Sequence, residues 1–370
     1  MNNKVFDNIY HGKKVLITGH TGFKGSWLSL WLIKLGAKVI GVSKDIPTKP
    51  SLFDILDLDN KMISYFLDIN DYIELKEVFN TEKPDFVFHL AAQAIVSEAF
   101  SDPLYTLRTN IIGTANILDC LKNYNKACTS VIITSDKCYD NVEWEWGYRE
   151  NDVLGGKDIY SGSKGAAELV FKSYFHSYFK NSKNEKIKLA SVRAGNVIGG
   201  GDWAKDRIIP DCYRSWAQEN EVEIRSPKST RPWQHVLEPL SGYLSVCYMM
   251  HTNKINNGES FNFGPRGSDV QVLNLIKDLS KYWNFKTNKS FYKLIDIKNN
   301  YHEAKLLKLN CDKANLLLKW HPVLDYDKLV EFTGTWYSKY YNQDNMWDFT
   351  NSQIDEFEKL AIKNNLFWIC

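Results

Sequence analysis

The sequence predicts an α/β fold, a doubly wound parallel sheet followed by a smaller C-terminal mixed α/β lobe that would bind a substrate. Three observations favour this fold class. Short runs of β-type residues alternate with helical patterns through the first half of the 370-residue chain. The predicted strands are apolar on both faces, which is typical of a parallel sheet with helices on each side. The first strand leads directly into a glycine-rich turn that opens a helix.

The predicted elements of the first half follow one another in order. Strands are predicted at residues 15–18, 39–42, 62–67, 86–90, 131–134 and 188–192. Helices are predicted at about 24–35, after Asp71, at about 103–121 and at about 160–179. Gly36 would end the first helix, because glycine readily adopts the left-handed conformation that terminates helices.

The alternation stops after Arg193, and the rest of the chain is predicted to form a smaller lobe. Three consecutive glycines at 199–201 begin an irregular stretch. A last helix is predicted near 352–362, where apolar side chains recur on one face. We therefore predict a sheet-containing domain over 1–198, with a returning segment at about 233–265, and a smaller lobe over 199–232 and 266–370.

The composition excludes several classes of protein. Lys and Arg total 46 and Asp and Glu 44, so the net charge of +2 does not indicate a nucleic-acid binder. With 44% hydrophobic residues the chain is not a disordered one. Seven cysteines without a Cys-x-x-Cys pair argue against a disulfide framework and a metal site, and favour a reducing cytoplasm. No apolar stretch resembles a signal peptide or a membrane span, so no membrane partner is expected.

The turn after the first strand has the spacing Gly-x-x-Gly-x-x-Gly. Gly19 can form the tight turn, Gly22 lets backbone approach a pyrophosphate, and Gly25 lets the helix pack close to the sheet. The phosphates would lie on free N–H groups at the helix N-terminus. A glycine-rich turn without a ligand is the alternative, but the strand, turn and helix together favour a Rossmann dinucleotide site. The residues predicted to bind the cofactor here are Gly19, Thr21, Gly22, Phe23, Lys24 and Gly25.

Later strand ends would complete the cofactor site. Ser43 stands where NAD-preferring folds usually place an acid for the ribose 2′-OH. Lys44 would accept a 2′-phosphate or lie in solvent, so spacing alone leaves NAD and NADP open. Asp68 and Ile69, after the third strand, are placed to meet the adenine. Small residues after the fourth strand would let backbone lie along the cofactor, and the predicted contacts there are Leu90, Ala91, Ala92 and Gln93.

Five residues form the predicted catalytic group, and two of them, Tyr160 and Lys164, are also predicted to contact the cofactor. Tyr160 and Lys164 are four residues apart at a helix start, so they share a face. A nearby ammonium favours the phenolate, so the pKa of Tyr160 is expected to fall from about 10 towards neutrality, which would make it a base for a hydroxyl. Ser135, Asp136 and Lys137 follow the fifth strand, where doubly wound sheets place reactive groups. Taken separately, each set is compatible with charged pairs in solvent; their occurrence together favours catalysis.

Three stretches of the sequence resemble the extended short-chain dehydrogenase/reductase family, and within it the nucleotide-sugar 4,6-dehydratases. The likeness covers essentially the whole chain and is clearest in GHTGFKGSWL at 19–28, TSDKCYDN at 134–141 and RPWQHVLEPL at 231–240. The pair Asp136-Lys137 resembles the Asp-Lys pair of the branch that acts on CDP-glucose. The dTDP-glucose enzymes have Asp-Glu at these positions. Ile159 and Gly162 depart from the family pattern, which has Pro and Ala there, at positions that line the sugar pocket.

The resemblance implies NAD as cofactor and a cycle without net oxidation or reduction. Tyr160, activated by Lys164, would take the proton of the sugar's C4 hydroxyl while the C4 hydride is transferred. Lys137 would remove the C5 proton and Asp136 would protonate the departing C6 hydroxyl, after which the hydride returns to C6. Ser135 would hydrogen-bond the C4 oxygen. The product would be a 4-keto-6-deoxy sugar.

The resemblance also implies a nucleotide sugar as the partner. Arg231 matches the pyrophosphate-binding arginine of the family, and a planar bidentate donor suits a phosphate. Asn196 resembles the asparagine that donates to the same group. Arg207 and Arg225 are further candidates. The aromatic insert at 144–150 would either roof the sugar or form a packed surface flap.

Alternatives remain open from the sequence. A nucleotide-sugar 4-epimerase needs Tyr160, Lys164 and NAD, but no acid–base pair for C5 and C6, so Asp136 and Lys137 favour dehydration. A 4,6-dehydratase of another nucleotide hexose or heptose is a second alternative, and a non-catalytic binding protein of the same fold is a third, disfavoured one. The family commonly dimerises through helices, which implies a homodimer or homotetramer here.

Overall fold

The computed structural model describes residues 4–180, 186–267, 270–286, 290–295 and 306–369. Its strands are β1 (Lys14–Thr18), β2 (Lys38–Ser43), β3 (Ile63–Phe66), β4 (Phe86–His89), β5 (Cys128–Ile133), β6 (Ile187–Ala194), β7 (Val197–Ile198), β8 (Val222–Ile224), β9 (Thr230–Arg231), β10 (Gln234–His235), β11 (Ser260–Phe263), β12 (Val270–Gln271) and β13 (Tyr292–Leu294). Its α-helices are α1 (Phe23–Lys34), α2 (Leu52–Ile55), α3 (Tyr72–Glu82), α4 (Val96–Ser101), α5 (Pro103–Leu107), α6 (Gly113–Lys122), α7 (Ile159–Tyr174), α8 (Ile208–Ala217), α9 (Leu237–His251), α10 (Val272–Ser280), α11 (Asp312–Leu317), α12 (Tyr326–Tyr341) and α13 (Met346–Lys363).

Seven strands form one parallel sheet at the centre of the molecule. Their order is β11-β6-β5-β4-β1-β2-β3, and every neighbouring pair is parallel. The predicted doubly wound α/β fold is therefore confirmed, and the six predicted strands are present with small shifts at their ends. The chain runs outward from β1 to β3 and then returns to β4 on the other side of β1. Such a reversal of strand order opens a crevice at the carboxyl ends of the strands, where these sheets bind ligands.

The seventh strand and the helix before it were not predicted as elements. β11 pairs with β6, with Asn262 opposite Arg193. All residues of α9 except His251 are buried, so the helix has no polar face and its sequence shows no helical periodicity. Both elements fall within the segment 233–265. The division of the chain into two domains stays a prediction.

Two predicted helices contain π-helical turns. The helix predicted at 103–121 consists of α5, a π-helical turn at Arg108–Ile112, and α6. The helix predicted at 160–179 is α7 followed by a π-helical turn at Phe175–Phe179. Such turns often occur at functional sites, and the first of them packs against α7, which carries Tyr160 and Lys164.

Much of the aromatic content forms core. The chain has 12 Trp and 20 Tyr, and six Trp side chains are among the largest that are fully buried. Phe6 stacks on Trp368 with ring centroids 5.1 Å apart, and the Phe6 N–H donates to the Trp368 carbonyl at 2.7 Å. These contacts join the N-terminal and C-terminal ends of the described chain.

Three further findings hold for the described part of the chain. Its six cysteines are free thiols, and Cys370 lies outside the described residues. No group of acidic, histidine or cysteine side chains among these residues is arranged to hold a metal ion. The described helices include none that is both long and apolar enough to cross a membrane.

Candidate active site

The predicted site residues meet at the carboxyl ends of the central strands. The glycine turn follows β1, the segment 135–137 follows β5, and Asn196 follows β6. α7 packs against the segment after β5 and carries Tyr160 and Lys164. Lys24, at the start of α1, is close enough for its charge to lower the pKa of the Lys164 ammonium. These strand ends therefore form one site.

The glycine turn is held tightly between β1 and β4. Gly19 has a φ of 76°, in the left-handed region that favours glycine. A Cβ at Gly19 would lie 2.8 Å from the backbone nitrogen of Ala91, and one at Gly25 would lie 2.0 Å from the carbonyl oxygen of Gly19. No described side chain caps α1, whose N-cap residue is Gly22, so its first N–H groups can meet a phosphate. The other predicted residues of this segment are Thr21, Phe23 and Lys24.

The end of β2 is occupied by interactions within the protein. The Ser43 hydroxyl hydrogen-bonds Nδ1 of His20 at 2.9 Å, and burial lowers the pKa of that imidazole to about 4, so it is neutral. Nζ of Lys44 lies 3.7 Å from a carboxylate oxygen of Asp68 and 4.7 Å from the centre of the Tyr105 ring. Ser43 thus stabilises the turn, and Lys44 is shared between a carboxylate and an aromatic ring.

The remaining predicted cofactor residues lie along the ends of β3 and β4. Ile69 is buried, and its Cδ1 would be 2.4 Å from a Cβ placed at Gly113. Gln93 is also buried and donates through Nε2 to the Thr106 hydroxyl at 2.9 Å. Residues 90–92 are half-buried. A cofactor at this edge of the sheet would therefore contact the backbone of residues 90–92 and the small side chains of Ala91 and Ala92.

α7 places the tyrosine and the lysine on its buried face. Asp158 caps the helix by accepting from the backbone N–H of Ser161 at 2.9 Å and from its hydroxyl at 2.6 Å. Tyr160 and Lys164 are 8% and 6% exposed. Nζ of Lys164 lies 5.8 Å from the centre of the Tyr160 ring, and burial lowers the pKa of Lys164 to about 8.

The expectation that the pKa of Tyr160 falls is wrong. Burial raises the pKa of its phenol to about 12, and the carboxylate of Asp136 acts in the same direction. A side-chain hydrogen bond with Ser135 and the charge of Arg207 oppose the rise. Burial, and not the nearby Lys164, therefore dominates the pKa of the phenol.

The segment after β5 forms a compact 3-10 turn, Asp136–Cys138. The Ser135 hydroxyl donates to Oδ1 of Asp136 at 2.8 Å and accepts from the backbone N–H of Lys137 at 3.3 Å. Asp136 is buried, and burial raises the pKa of its carboxyl, although the charges of Lys137 and Lys24 oppose this. A raised pKa suits a carboxylic acid that must donate a proton. Lys137 is half-buried beside it.

The chain segments of two predicted substrate residues, Asn196 and Arg231, lie close to Asp136. A Cβ at Gly195 would lie 3.3 Å from Oδ2 of Asp136 and 4.0 Å from the ring of Pro232. Asn196 follows Gly195, and Arg231 precedes Pro232. The structure therefore brings the chain segments of Asn196 and Arg231 to the acid.

The other two arginines differ in position. Arg207 donates to Oδ2 of Asp202 at 2.8 Å, and its charge lowers the pKa of Tyr160, so it lies at the catalytic end. Arg225 is exposed after β8, where its charge acts on Asp211. Arg207 is consequently the better placed of the two for a substrate.

The C-terminal part of the aromatic insert at 144–150 packs against the segment that follows β5. Tyr148 is buried and stacks on Tyr139, with ring centroids 5.1 Å apart. Its N–H donates to the carbonyl of Lys308 at 2.8 Å. Trp146 is 73% exposed and Trp144 is 39% exposed, so the tip of the insert faces solvent. Its role as a roof over the sugar stays a prediction.

Four buried polar residues around the site were missed in the sequence. Asn110, in the π-helical turn, donates to the Ser163 hydroxyl at 2.8 Å. Nδ1 of His89 hydrogen-bonds the Thr18 hydroxyl at 2.7 Å. A single polar residue within an apolar run has no signature of its own, because its partner is distant in the chain. The other two missed residues are Glu168 and Arg193.

Comparisons with known proteins agree with this geometry. The profile of a family described as GDP-mannose 4,6 dehydratase matches residues 16–333. The chain is 46% identical over 353 residues to CDP-glucose 4,6-dehydratase of Salmonella typhimurium, covering 95% of this chain and 97% of that protein. The structure of dTDP-glucose 4,6-dehydratase from Bacillus anthracis in complex with NAD has a TM-score of 0.73 at 18% identity, covering 90% of this chain and 99% of that one. UDP-glucose 4-epimerase from Thermotoga maritima with UDP-glucose has a TM-score of 0.73 at 22% identity, covering 88% and 99%. The two structures show a shared fold.

Proposed function

The chain belongs to the GDP-mannose 4,6 dehydratase family, and on that premise we propose that it removes water from CDP-glucose to give CDP-4-keto-6-deoxyglucose. It is an enzyme of the hydro-lyase class. The observation that carries the proposal is the acid–base pair Asp136-Lys137 at the end of β5, packed against the helix that carries Tyr160 and Lys164. The similarity to a CDP-glucose enzyme over nearly the whole of both chains supports the choice of substrate.

The residues present fit NAD as the cofactor. A Cβ at Gly22 would meet only the Gly19 carbonyl oxygen, at 3.4 Å, so the backbone beside the uncapped N-terminus of α1 is open to a pyrophosphate. Lys44, the residue that could accept a 2′-phosphate, is already paired with the Asp68 carboxylate, which favours NAD over NADP. NAD, when bound, supplies the hydride acceptor for C4 of the sugar and a positive charge near the Tyr160 phenol.

Gly25→Ala is expected to weaken NAD binding by about tenfold or more, because the new methyl group would overlap the Gly19 carbonyl oxygen and displace the turn. Gly162→Ala is the matched control, since it also lies in the first turn of a helix and a Cβ there meets no described atom within 4 Å. Alanine is favoured over glycine in a helix by about 1 kcal/mol, so this control should be at least as stable as the parent. Titration with NAD, followed by tryptophan fluorescence, measures both affinities. Equal affinities for the two variants would contradict the role given to the turn.

Tyr160 and Lys164 act at the C4 hydroxyl in this proposal. With a pKa of about 12 the phenol holds its proton in the structure described here, so the base form must arise as positive charge gathers around it on binding. Lys164 orients the phenol from above its ring, and Arg207 contributes a second positive charge. Ser135 would hold the C4 oxygen. Together these residues favour removal of the hydroxyl proton.

Asp136 and Lys137 act at C5 and C6. A ketone at C4 makes the C5 hydrogen acidic, and Lys137 would remove it. Asp136 would give its proton to the C6 hydroxyl, which leaves as water. The hydride taken from C4 would then return to C6, and C5 would regain a proton from the ammonium form of Lys137. Burial favours the protonated form of Asp136 by raising its pKa, as this role requires.

The nucleotide diphosphate would be held beside the acid. Arg231 and Asn196 are the proposed donors, since Gly195, the neighbour of Asn196, lies beside Asp136, and Pro232, the neighbour of Arg231, lies beside Gly195. The Asp202 carboxylate holds Arg207 in place near the phenol, where it can meet either the sugar or a phosphate. An overall charge near zero is compatible with a small anionic substrate met by a few placed donors.

A panel of CDP-, dTDP-, GDP- and UDP-sugars tests the proposal. CDP-glucose is expected to give a 4-keto-6-deoxy product, detected by its absorbance in alkali and by mass, with the highest kcat/KM of the panel. Mass spectrometry of any dinucleotide that co-purifies, or of one captured from a NAD and NADP mixture, identifies the cofactor. A simple C4 epimer as the only product would instead show that the chain is an epimerase. Dehydration of another nucleotide sugar, and not of CDP-glucose, would show that the proposed substrate is wrong.

Assembly and location stay predictions. Exposed apolar side chains on α5 and α7, such as Leu104 and Leu169 at 72% and 54% exposure, are compatible with the predicted homodimer or homotetramer. We also propose a cytoplasmic location, which the six free thiols support.

A further inference from the structure

An ion pair lies fully buried beneath the active site. Glu168, on α7, and Arg193, on β6, have side chains that are 0% exposed. The guanidinium donates to both carboxylate oxygens, Nε to Oε1 at 3.0 Å and Nη2 to Oε2 at 2.8 Å. Buried pairs of this kind contribute little net stability compared with apolar residues of similar volume, so stability alone does not explain the pair.

The pair holds both ends of the acid–base segment. Glu168 accepts from the hydroxyl of Thr134, the residue before Ser135. Arg193 donates through Nη1 to the hydroxyl of Tyr139, two residues after Lys137, at 2.6 Å. The residues Ser135–Lys137 therefore lie between two attachments to the same buried pair.

The pair also connects this segment to the catalytic helix. Glu168 lies one helical turn beyond Lys164 and two turns beyond Tyr160, so these three side chains share a face of α7. Its bidentate bond to Arg193 fixes the helix against β6, and β6 is the neighbour of β5 in the sheet. Glu168 thus links the helix that carries Tyr160 to the strands beside the acid–base segment.

Further hydrogen bonds join the aromatic insert to the same pair. Nη1 of Arg193 also donates to the carbonyl of Glu150 at 3.1 Å. The Tyr139 hydroxyl donates to Oδ1 of Asn262 at 2.8 Å, and Nδ2 of Asn262 donates to the carbonyl of Tyr148 at 2.9 Å. The insert, the acid–base segment and the catalytic helix meet in one buried network.

We infer that Glu168 and Arg193 are positioning residues, which act through Thr134 and Tyr139 to hold Asp136 and Lys137 at a fixed distance from Tyr160. In the proposed function, on which this inference rests, Tyr160 acts at C4 while the acid–base pair acts at C5 and C6. One sugar ring must meet both groups at once. A shift of about 1 Å at a catalytic group can cost on the order of a hundredfold in rate.

Tyr139→Phe is the mildest test, because it removes only the hydroxyl that accepts from Arg193 and donates to Asn262. It is expected to lower kcat by about tenfold and to leave KM within about twofold, since the diphosphate donors are untouched. Tyr10→Phe is the matched control: Tyr10 is as buried as Tyr139, and its hydroxyl donates to the Leu244 carbonyl at 2.9 Å. Tyr10 packs on Phe86 at the opposite end of the sheet, so this variant should keep its kcat.

A second comparison separates position from stability. Glu168→Gln leaves a buried guanidinium without its counter-charge and is expected to be much less stable, whereas Glu168→Leu combined with Arg193→Met removes the whole pair and should recover much of that stability. The kcat of the double variant is expected to stay low. If kcat recovers together with the melting temperature, the pair is only structural and the inference is wrong; wild-type kcat in Tyr139→Phe overturns it equally.

Amide hydrogen exchange gives a readout that does not depend on activity. Exchange across 135–150 should be faster in Tyr139→Phe than in the parent chain, and unchanged there in Tyr10→Phe. Failure of the wild-type chain to dehydrate any nucleotide sugar would overturn the proposed function. Hydrogen exchange would still test the positioning of residues 135–150, because it does not require turnover. Unchanged exchange in Tyr139→Phe would overturn the positioning itself.

Discussion

Tyr160→Phe is expected to lower kcat by a factor on the order of a hundred to ten thousand, the range that general base catalysis contributes. The substitution removes the hydroxyl that would take the C4 proton but keeps the buried ring over which Lys164 lies. The fold, the melting temperature and the affinity for NAD should change little. Steady-state kinetics with CDP-glucose measures kcat and KM.

Tyr178→Phe is the control for this substitution, because Tyr178 is 51% exposed in the π-helical turn after α7. It should retain the parent kcat. A Tyr160→Phe variant that keeps more than about a tenth of the parent kcat would show that the phenol is not the base, since loss of a general base costs on the order of a hundredfold or more.

Lys137→Ala is expected to abolish both product formation and the incorporation of solvent deuterium at C5, with NAD binding unchanged. The reason is that Lys137 is the proposed base for the C5 hydrogen, whereas the glycine turn that would hold NAD follows a different strand, β1. Reactions run in deuterium oxide and followed by proton NMR measure the exchange at C5. The expected loss in kcat is on the order of a hundredfold or more.

The control for Lys137→Ala is Lys157→Ala, which removes an exposed lysine shortly before α7. Deuterium incorporation at C5 at the parent rate in Lys137→Ala would remove Lys137 from the mechanism. Asp136→Asn adds a test of the acid, because an amide of the same shape cannot donate the proton that the C6 hydroxyl needs. It should bind substrate and cofactor but form no product.

The parts of the fold that were predicted correctly are those with local signals. Strands apolar on both faces, the glycine turn and the helix that begins near Tyr160 are each encoded in a short stretch, so pattern and spacing reveal them. α9 and β11 had no such signal, since α9 is buried on every side and β11 is short. Their place depends on packing against β5 and β6, which the local sequence does not encode.

The candidate site divides in the same way. Tyr160 with Lys164, and Asp136 with Lys137, are close in sequence, and the topology of a parallel sheet predicts that they meet. Glu168 and Arg193 are separated by 25 residues and joined only in the folded chain.

The pKa of Tyr160 was wrongly predicted because it depends on burial. Spacing along a helix indicates that Lys164 is near, but not that the phenol is desolvated. Ser43 was placed correctly at the end of β2, yet its hydroxyl hydrogen-bonds His20, and a contact with a neighbouring loop is not visible in the pattern.

The most direct measurement uses CDP-glucose that carries deuterium at C4. If the chain is a 4,6-dehydratase, the product is a 4-keto-6-deoxy sugar in which that deuterium is found at C6, because hydride removed from C4 returns to the carbon that lost water. Proton NMR and mass spectrometry locate the label. Deuterium that reappears at C4 of an intact hexose would contradict dehydration and show a 4-epimerase instead.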